Sequence, residues 1–145
     1  MKTVSICTII VLGLFSACSR VPEPIKYGKD ACTHCKMTIM DKRFAAEIIT
    51  AKGKIVKFDA AECMVDFLKE NTPIATNTNS IFLVSDFNKP GQFVDARKSL
   101  FLHDNSLMSP MGGNIAAFLS KASAEAAEKD QSASIYTWPL LLKSR

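Results

Sequence analysis

Two cysteines and a methionine fall within six residues in Cys32-Thr33-His34-Cys35-Lys36-Met37, with an imidazole between the thiols. Thiolate and thioether sulfur are soft, polarizable donors, and they select Cu(I) over harder ions. Two or three of them can hold Cu(I) in a low-coordinate site, whereas structural zinc asks for four ligands. A further thioether, Met111, lies in Met108-Ser109-Pro110-Met111-Gly112-Gly113. A methionine on a helix face is usually core filler, the role assigned here to Met64. Met111 stands between a proline and two glycines, in a loop that can bury little, so a ligand role suits it better than packing. Met40 and Met108 are weaker candidates.

Other chemistries compete for the same residues. A zinc site needs a second ligand pair, and no other C-x-x-C or H-x-x-x-H occurs. Cys63 and His103 could complete one, but their spacing gives no support. C-x-x-C is also the signature of thiol-disulfide oxidoreductases. In a thioredoxin-like fold that motif ends a strand and opens a long amphipathic helix. Here it follows a short tether and precedes a strand, so an envelope thiol-disulfide oxidoreductase is the second reading. A plain structural disulfide between Cys32 and Cys35 is the third. Cys63 shares a helix face with Phe67 and reads as a buried inert thiol. His34 reads as a surface histidine. No glycine-rich phosphate loop, nucleophile elbow or catalytic triad is present, and the chain does not read as an enzyme.

The elements that must position these residues are short. Phe44 to Thr50 reads as a strand, Ala51-Lys52-Gly53-Lys54 as a turn with glycine available for positive φ, and Ile55 to Phe58 as the returning strand. Asp59 followed by Glu62 three residues on suggests a capping box for a helix ending near Glu70. Cys63, Met64, Phe67 and Leu68 line one face of that helix. Asn71 to Ser80 reads as loop, Ile81 to Ser85 as a buried strand, and Gln92 to Val94 as the start of another. Asp95 to Leu102 fits either a short helix or a continued strand. After the loop His103 to Gly113 come a strand at Ile115 to Leu119, a helix at Ser123 to Lys129 and a closing apolar segment at Ile135 to Leu142. The order predicts an α+β fold with a mainly antiparallel sheet. Met37 precedes Phe44-Ala45-Ala46 and Met111 precedes Ala116-Ala117-Phe118, an echo that two related halves facing one site would explain.

The N-terminus reads as an export signal: Lys2, then an apolar run from Val4 to Phe15 that is short for a membrane span. Leu14-Phe15-Ser16-Ala17-Cys18 resembles a lipobox, with Phe15 where leucine or valine is usual. The resemblance implies cleavage before Cys18 and a lipid on its sulfur, durable because each buried methylene contributes about 0.8 kcal/mol. The expected organisation is a signal peptide over 1–17, anchor and tether over 18–29, and one domain over 30–145. Of the five cysteines, Cys7 lies in the signal and Cys18 is the anchor. Three remain, an odd number for a disulfide framework in an oxidising compartment. At 145 residues the chain is long enough for one domain with a core, and its 22% charged and 48% hydrophobic content suits a folded one. Its net charge of +4 is spread in ones and twos without interleaved aromatics, which excludes a nucleic-acid surface.

The ordered series of motifs resembles the nitrous oxide reductase accessory lipoprotein family, NosL. The lipobox comes first, then Cys32-x-x-Cys35-x-Met37-x-Ile39. Phe58-Asp59 and Cys63-Met64 follow, then Val84-Ser85-Asp86-Phe87 and Asp95-Ala96-Arg97-Lys98. Ser109-Pro110-Met111-Gly112 and Ala117-Phe118 close a series that covers nearly all of the mature chain. The resemblance implies two related ββαβ-like halves. It also implies a periplasmic, lipid-anchored Cu(I) chaperone that delivers copper to nitrous oxide reductase or another envelope copper enzyme. Ser19, directly after the expected anchor, gives no inner-membrane retention signal, so the expected membrane is the outer one. Carried over, the family's Cys-x-Met element falls on Cys35 and Met37, its Pro-Met-Gly element on Met111, and its first cysteine on Cys32. Lys36 stands where the family usually has glycine.

Overall fold

A computed structural model describes residues 20–145 of the chain. The expected signal peptide over 1–17 and the expected anchor Cys18 lie outside the described residues.

Gly53 takes φ +81°, a left-handed conformation that costs glycine little, and so closes the expected turn. Strand β1 (Ala46–Ile49) pairs antiparallel with β2 (Ile55–Phe58) across it. Helix α1 (Ala61–Glu70) follows and buries Cys63, Met64, Val65 and Leu68, as the apolar spacing predicts. Its start differs from the expected capping box. The N-cap position belongs to Ala60, with no side-chain cap, because Asp59 sits one residue too early and is buried at 2% exposure. The single-turn helix α2 (Thr72–Ala75), opened by Pro73, lies inside the segment expected to be all loop. The chain returns as β3 (Ile81–Ser85) on the far side of β1, and β4 (Phe93–Asp95) extends the sheet to the order β2-β1-β3-β4.

The undecided stretch after Asp95 contains both options. The Asp95 carboxylate accepts the Arg97 N–H at 2.9 Å and starts one 3₁₀ turn over Ala96–Lys98, after which β5 (Leu100–His103) begins. Strand β6 (Ile115–Phe118), helix α3 (Lys121–Ala127) and strand β7 (Ser134–Thr137) follow, and the second sheet has the order β6-β5-β7. Helix α4 (Trp138–Ser144) closes the fold.

Each half is therefore a ββαβ unit in which the third strand pairs on the far side of the first. In register, Phe58 faces Ala46 and Phe118 faces Leu100, and both phenylalanines are fully buried. This makes β5 the counterpart of β1 and β6 the counterpart of β2. The sequence echo paired the wrong strands: Ala45-Ala46 leads into β1, whereas Ala116-Ala117-Phe118 lies in β6. Small and aromatic residues recur in any tightly buried strand, so similar strings arise at non-equivalent places. The Met111 loop is thus the counterpart of the β1–β2 turn.

The halves are locked by aromatic packing. Trp138 stands between Phe82 of β3 and Phe101 of β5, with ring centroids 5.7 and 5.8 Å away. Phe87 stands between Phe44 and Phe118 at 5.7 and 5.4 Å. The Phe87 N–H also donates to the Ala117 carbonyl at 2.9 Å. Packing begins ahead of Asp30, the boundary read from sequence. Ile25 is buried in the main core, and the Gly28 N–H bonds the Ile39 carbonyl at 2.9 Å. A single isoleucine beside prolines carries no periodic signal, so the polar context of the segment concealed it.

Candidate metal-binding site

The C-x-x-C segment is a loop closed by an isolated antiparallel bridge between Ala31 and Thr38. The Cys32 N–H donates to the Met37 carbonyl at 2.8 Å, and the Lys36 N–H to the Cys32 carbonyl at 3.0 Å. Closing so tight a loop drives Lys36 to φ +67°. That region costs a residue with a Cβ about 1–2 kcal/mol, and glycine nothing comparable, which accounts for the glycine expected at this position. The Thr33 N–H docks the loop on the Lys57 carbonyl of β2 at 2.8 Å.

Docked there, the loop meets the first turn of α1. The sulfurs of Cys32, Cys35 and Cys63 all lie within 4.8 Å of one another, and all three thiols are free. Among the described residues this is the group of side chains that could hold a metal ion. Cys32 is fully buried, Cys63 is 1% exposed, and Cys35 is partly exposed. Cys63 reads from the sequence as a buried inert thiol. It is buried as foreseen, but it faces the motif rather than only the core. The available signal was the odd count of three thiols after Cys18, one of them in the first turn of a helix.

The three thiols differ electrostatically. A hydrogen bond from the Cys63 thiol holds Cys32 down to about 4 against its burial, and the backbone N–H groups of Asp59 and Cys35 assist. The same bond, together with burial, pushes the Cys63 thiol well up, and burial raises Cys35. Within the trio, negative charge is thus favoured on Cys32 and disfavoured on Cys35 and Cys63. The helix N-terminus nearby favours that negative charge. Three sulfurs at this spacing suit a low-coordinate soft ion: a metal–sulfur bond of about 2.3 Å in a plane of three puts the sulfurs about 4 Å apart.

The thioethers are placed differently. Met37 is 53% exposed and Met111 41%, with Met40 and Met108 further out, while Met64 is core as expected. Met37 follows directly in the thiol loop. Met111 sits in the β5–β6 loop, whose Ser109 hydroxyl donates to the Glu62 carboxylate, one residue before Cys63. His34 makes a 3.9 Å surface contact with Glu70, consistent with a surface histidine. His103 lines a cleft of about 320 Å³ with Gly112, Gly113, Tyr136 and Arg145 and is not a member of the thiol group.

The redox alternative fits this geometry less well. The motif opens no helix, and Cys32, where negative charge is favoured, is fully buried, whereas attack on a partner disulfide needs an accessible thiolate.

A family model described as NosL matches residues 25–139. Among solved structures, the chain is similar to the copper chaperone NosL from Shewanella denitrificans. The match has a TM-score of 0.72 and 22% sequence identity, and covers 87% of this chain and 98% of that one. No curated protein matches the chain.

Proposed function

This chain belongs to the NosL family, and from that premise we propose that it is a Cu(I) chaperone held on the periplasmic side of a bacterial envelope by a lipid on Cys18. The observation that carries the copper reading is the trio of free sulfurs of Cys32, Cys35 and Cys63 within 4.8 Å of one another. Copper here is cargo. Cys32 offers a thiolate at once, and each further thiol that becomes a ligand gives its proton to solvent. The exposed thioethers Met37 and Met111 complete the proposed ligand set. Being neutral and accessible, they suit stepwise exchange of Cu(I) with an incoming donor. The recipient we propose is nitrous oxide reductase, or another envelope copper enzyme, following the family resemblance. The lipid anchor rests on the lipobox-like run ending at Cys18, and nothing in this reading requires catalysis by the chain itself.

Reduced protein should bind about one Cu(I) in preference to Zn(II). Copper titration with X-ray absorption should show sulfur in the first shell. A shell of nitrogen and oxygen alone would sink the proposal. The anchor has its own check, since Cys18→Ser protein should leave the membrane fraction.

A further inference from the structure

Glu62 occupies an unusual place for an acid. It lies in the first turn of α1, is 1% exposed, and directly precedes Cys63. Its Oε1 accepts the Ser109 hydroxyl, and its Oε2 is buried with no partner. Burying a carboxylate this incompletely bonded is costly, so mere packing is a poor account of it.

The loop it grips turns through an unusual run of backbone conformations. Met108, Gly112 and Asn114 all take left-handed φ, at +49°, +67° and +52°. Met108 is strained there, whereas Asn114 is of a type that takes this region more readily. Ser109 is the hub of the loop's internal bonds. Its hydroxyl accepts the Asn114 N–H at 2.8 Å while donating to Glu62, and its own N–H reaches Asn114 Oδ1 at 3.3 Å. The loop also passes so close to Glu62 that a Cβ on Gly113 would lie 2.7 Å from Glu62 Oε1 and 2.8 Å from Arg145 Nη1. The Met111 loop is thus clamped onto the helix turn that carries the third thiol.

We propose that Glu62 is a positioning residue that couples the Met111 loop to the thiol trio, so that the thioether of Met111 is presented to copper bound by the cysteines. This rests on the copper reading above and adds the means by which the two halves act on one ion. Without the Glu62–Ser109 bond the trio remains, but the loop is released and Met111 is no longer held in place.

The test is a mutant cycle on the full chain in its reduced form, read by competition with a Cu(I) chelator. Parent protein that fails to bind copper defeats the chaperone reading itself, separately from this one. Given binding by the parent, Glu62→Ala should lower copper affinity about tenfold, the size usual for a residue that orients a ligand. Ser109→Ala, which removes that bond together with the acceptor of the Asn114 N–H, should lower it at least as much, and Glu62→Gln, which keeps an acceptor, should retain most of the affinity. In a Met111→Leu background Glu62→Ala should cost almost nothing further, because both changes remove one interaction. Copper-free protein labelled at the methionine methyl should show the Met111 resonance shifting in Glu62→Ala while that of buried Met64 stays. A full additional loss in the Met111→Leu background, or parent-like affinity in both Glu62→Ala and Ser109→Ala, overturns the proposal.

Discussion

At the register position where the second half places Phe101, the first half places Glu47, and both are fully buried. Five residues after the matched phenylalanines, α1 carries Cys63 and α3 carries Ser123. The helix caps differ in the same sense: Ser120 accepts the Ser123 N–H at 3.2 Å, whereas Ala60 offers α1 no side chain. Every unpartnered buried side-chain oxygen found among the described residues lies before residue 81, on Tyr27, Glu47, Asp59, Glu62 and Ser80. One topology has thus been used twice, with different tolerances. The second half keeps to the local rules in its strands and helix, and its left-handed residues Met108 and Asn114 fall in the long loop it contributes. The first breaks several of those rules around the thiols, as functional regions do at the expense of stability.

The sharpest way to break this contrast is at its paired helix positions. Cys63→Ser should weaken Cu(I) binding by on the order of a hundredfold, at or beyond the upper end for a residue that only supports a ligand. Ser123→Cys, at the matched place in the other half, should add none. A chelator competition in which Cys63→Ser binds like the parent would return that thiol to the inert role read from sequence.

The buried acid offers a second, smaller contrast, in stability. Burial raises the Glu47 carboxyl from 4.5 to about 6, opposed by the Glu23 N–H and by Lys57. An acid whose folded pKa is raised stabilises the fold fully below about 4.5, and that contribution is lost as pH rises through about 6. Glu47→Gln cannot ionise, so relative to the parent it should gain about 2 kcal/mol between pH 4 and pH 8. Denaturant midpoints for the two proteins that run parallel over that range would mean the carboxyl is better solvated than its burial implies. Phe101, its counterpart, contributes no such slope.

The smallest effect belongs to the second half. Ser120→Ala removes the cap of α3 and should cost about 1 kcal/mol in thermal or chemical unfolding, with copper affinity unchanged. A matching loss of copper binding would show the halves to be less separable than their structures suggest.

Much of this was legible along the chain because it depends on neighbours. The glycine turn at residue 53, the buried face of α1 and the alternation of strands and helices follow from turn chemistry and periodicity over a few residues. So does the soft character of Cys32, Cys35 and Met37, since donor type is a property of the side chain itself. The N-terminal boundary was less legible, because one isoleucine among prolines is too little pattern to mark a core residue.

What the tertiary structure decided are the facts that need two distant segments in one place. Cys63 joins Cys32 and Cys35 only because the loop docks on β2 and meets the start of α1, and no spacing rule relates positions brought together by packing. Glu62 was read as half of a capping box, a local role; burial and the approach of Ser109 from the other half gave it a different partner. Lys36 stood out only as a lysine where the family usually has glycine; the constraint at that position is backbone conformation, set when the loop closes. Residue types fixed which atoms could bind a soft metal, while the chain's path through space chose which of them share a site, because a metal responds to distances of a few ångströms and the sequence records only order.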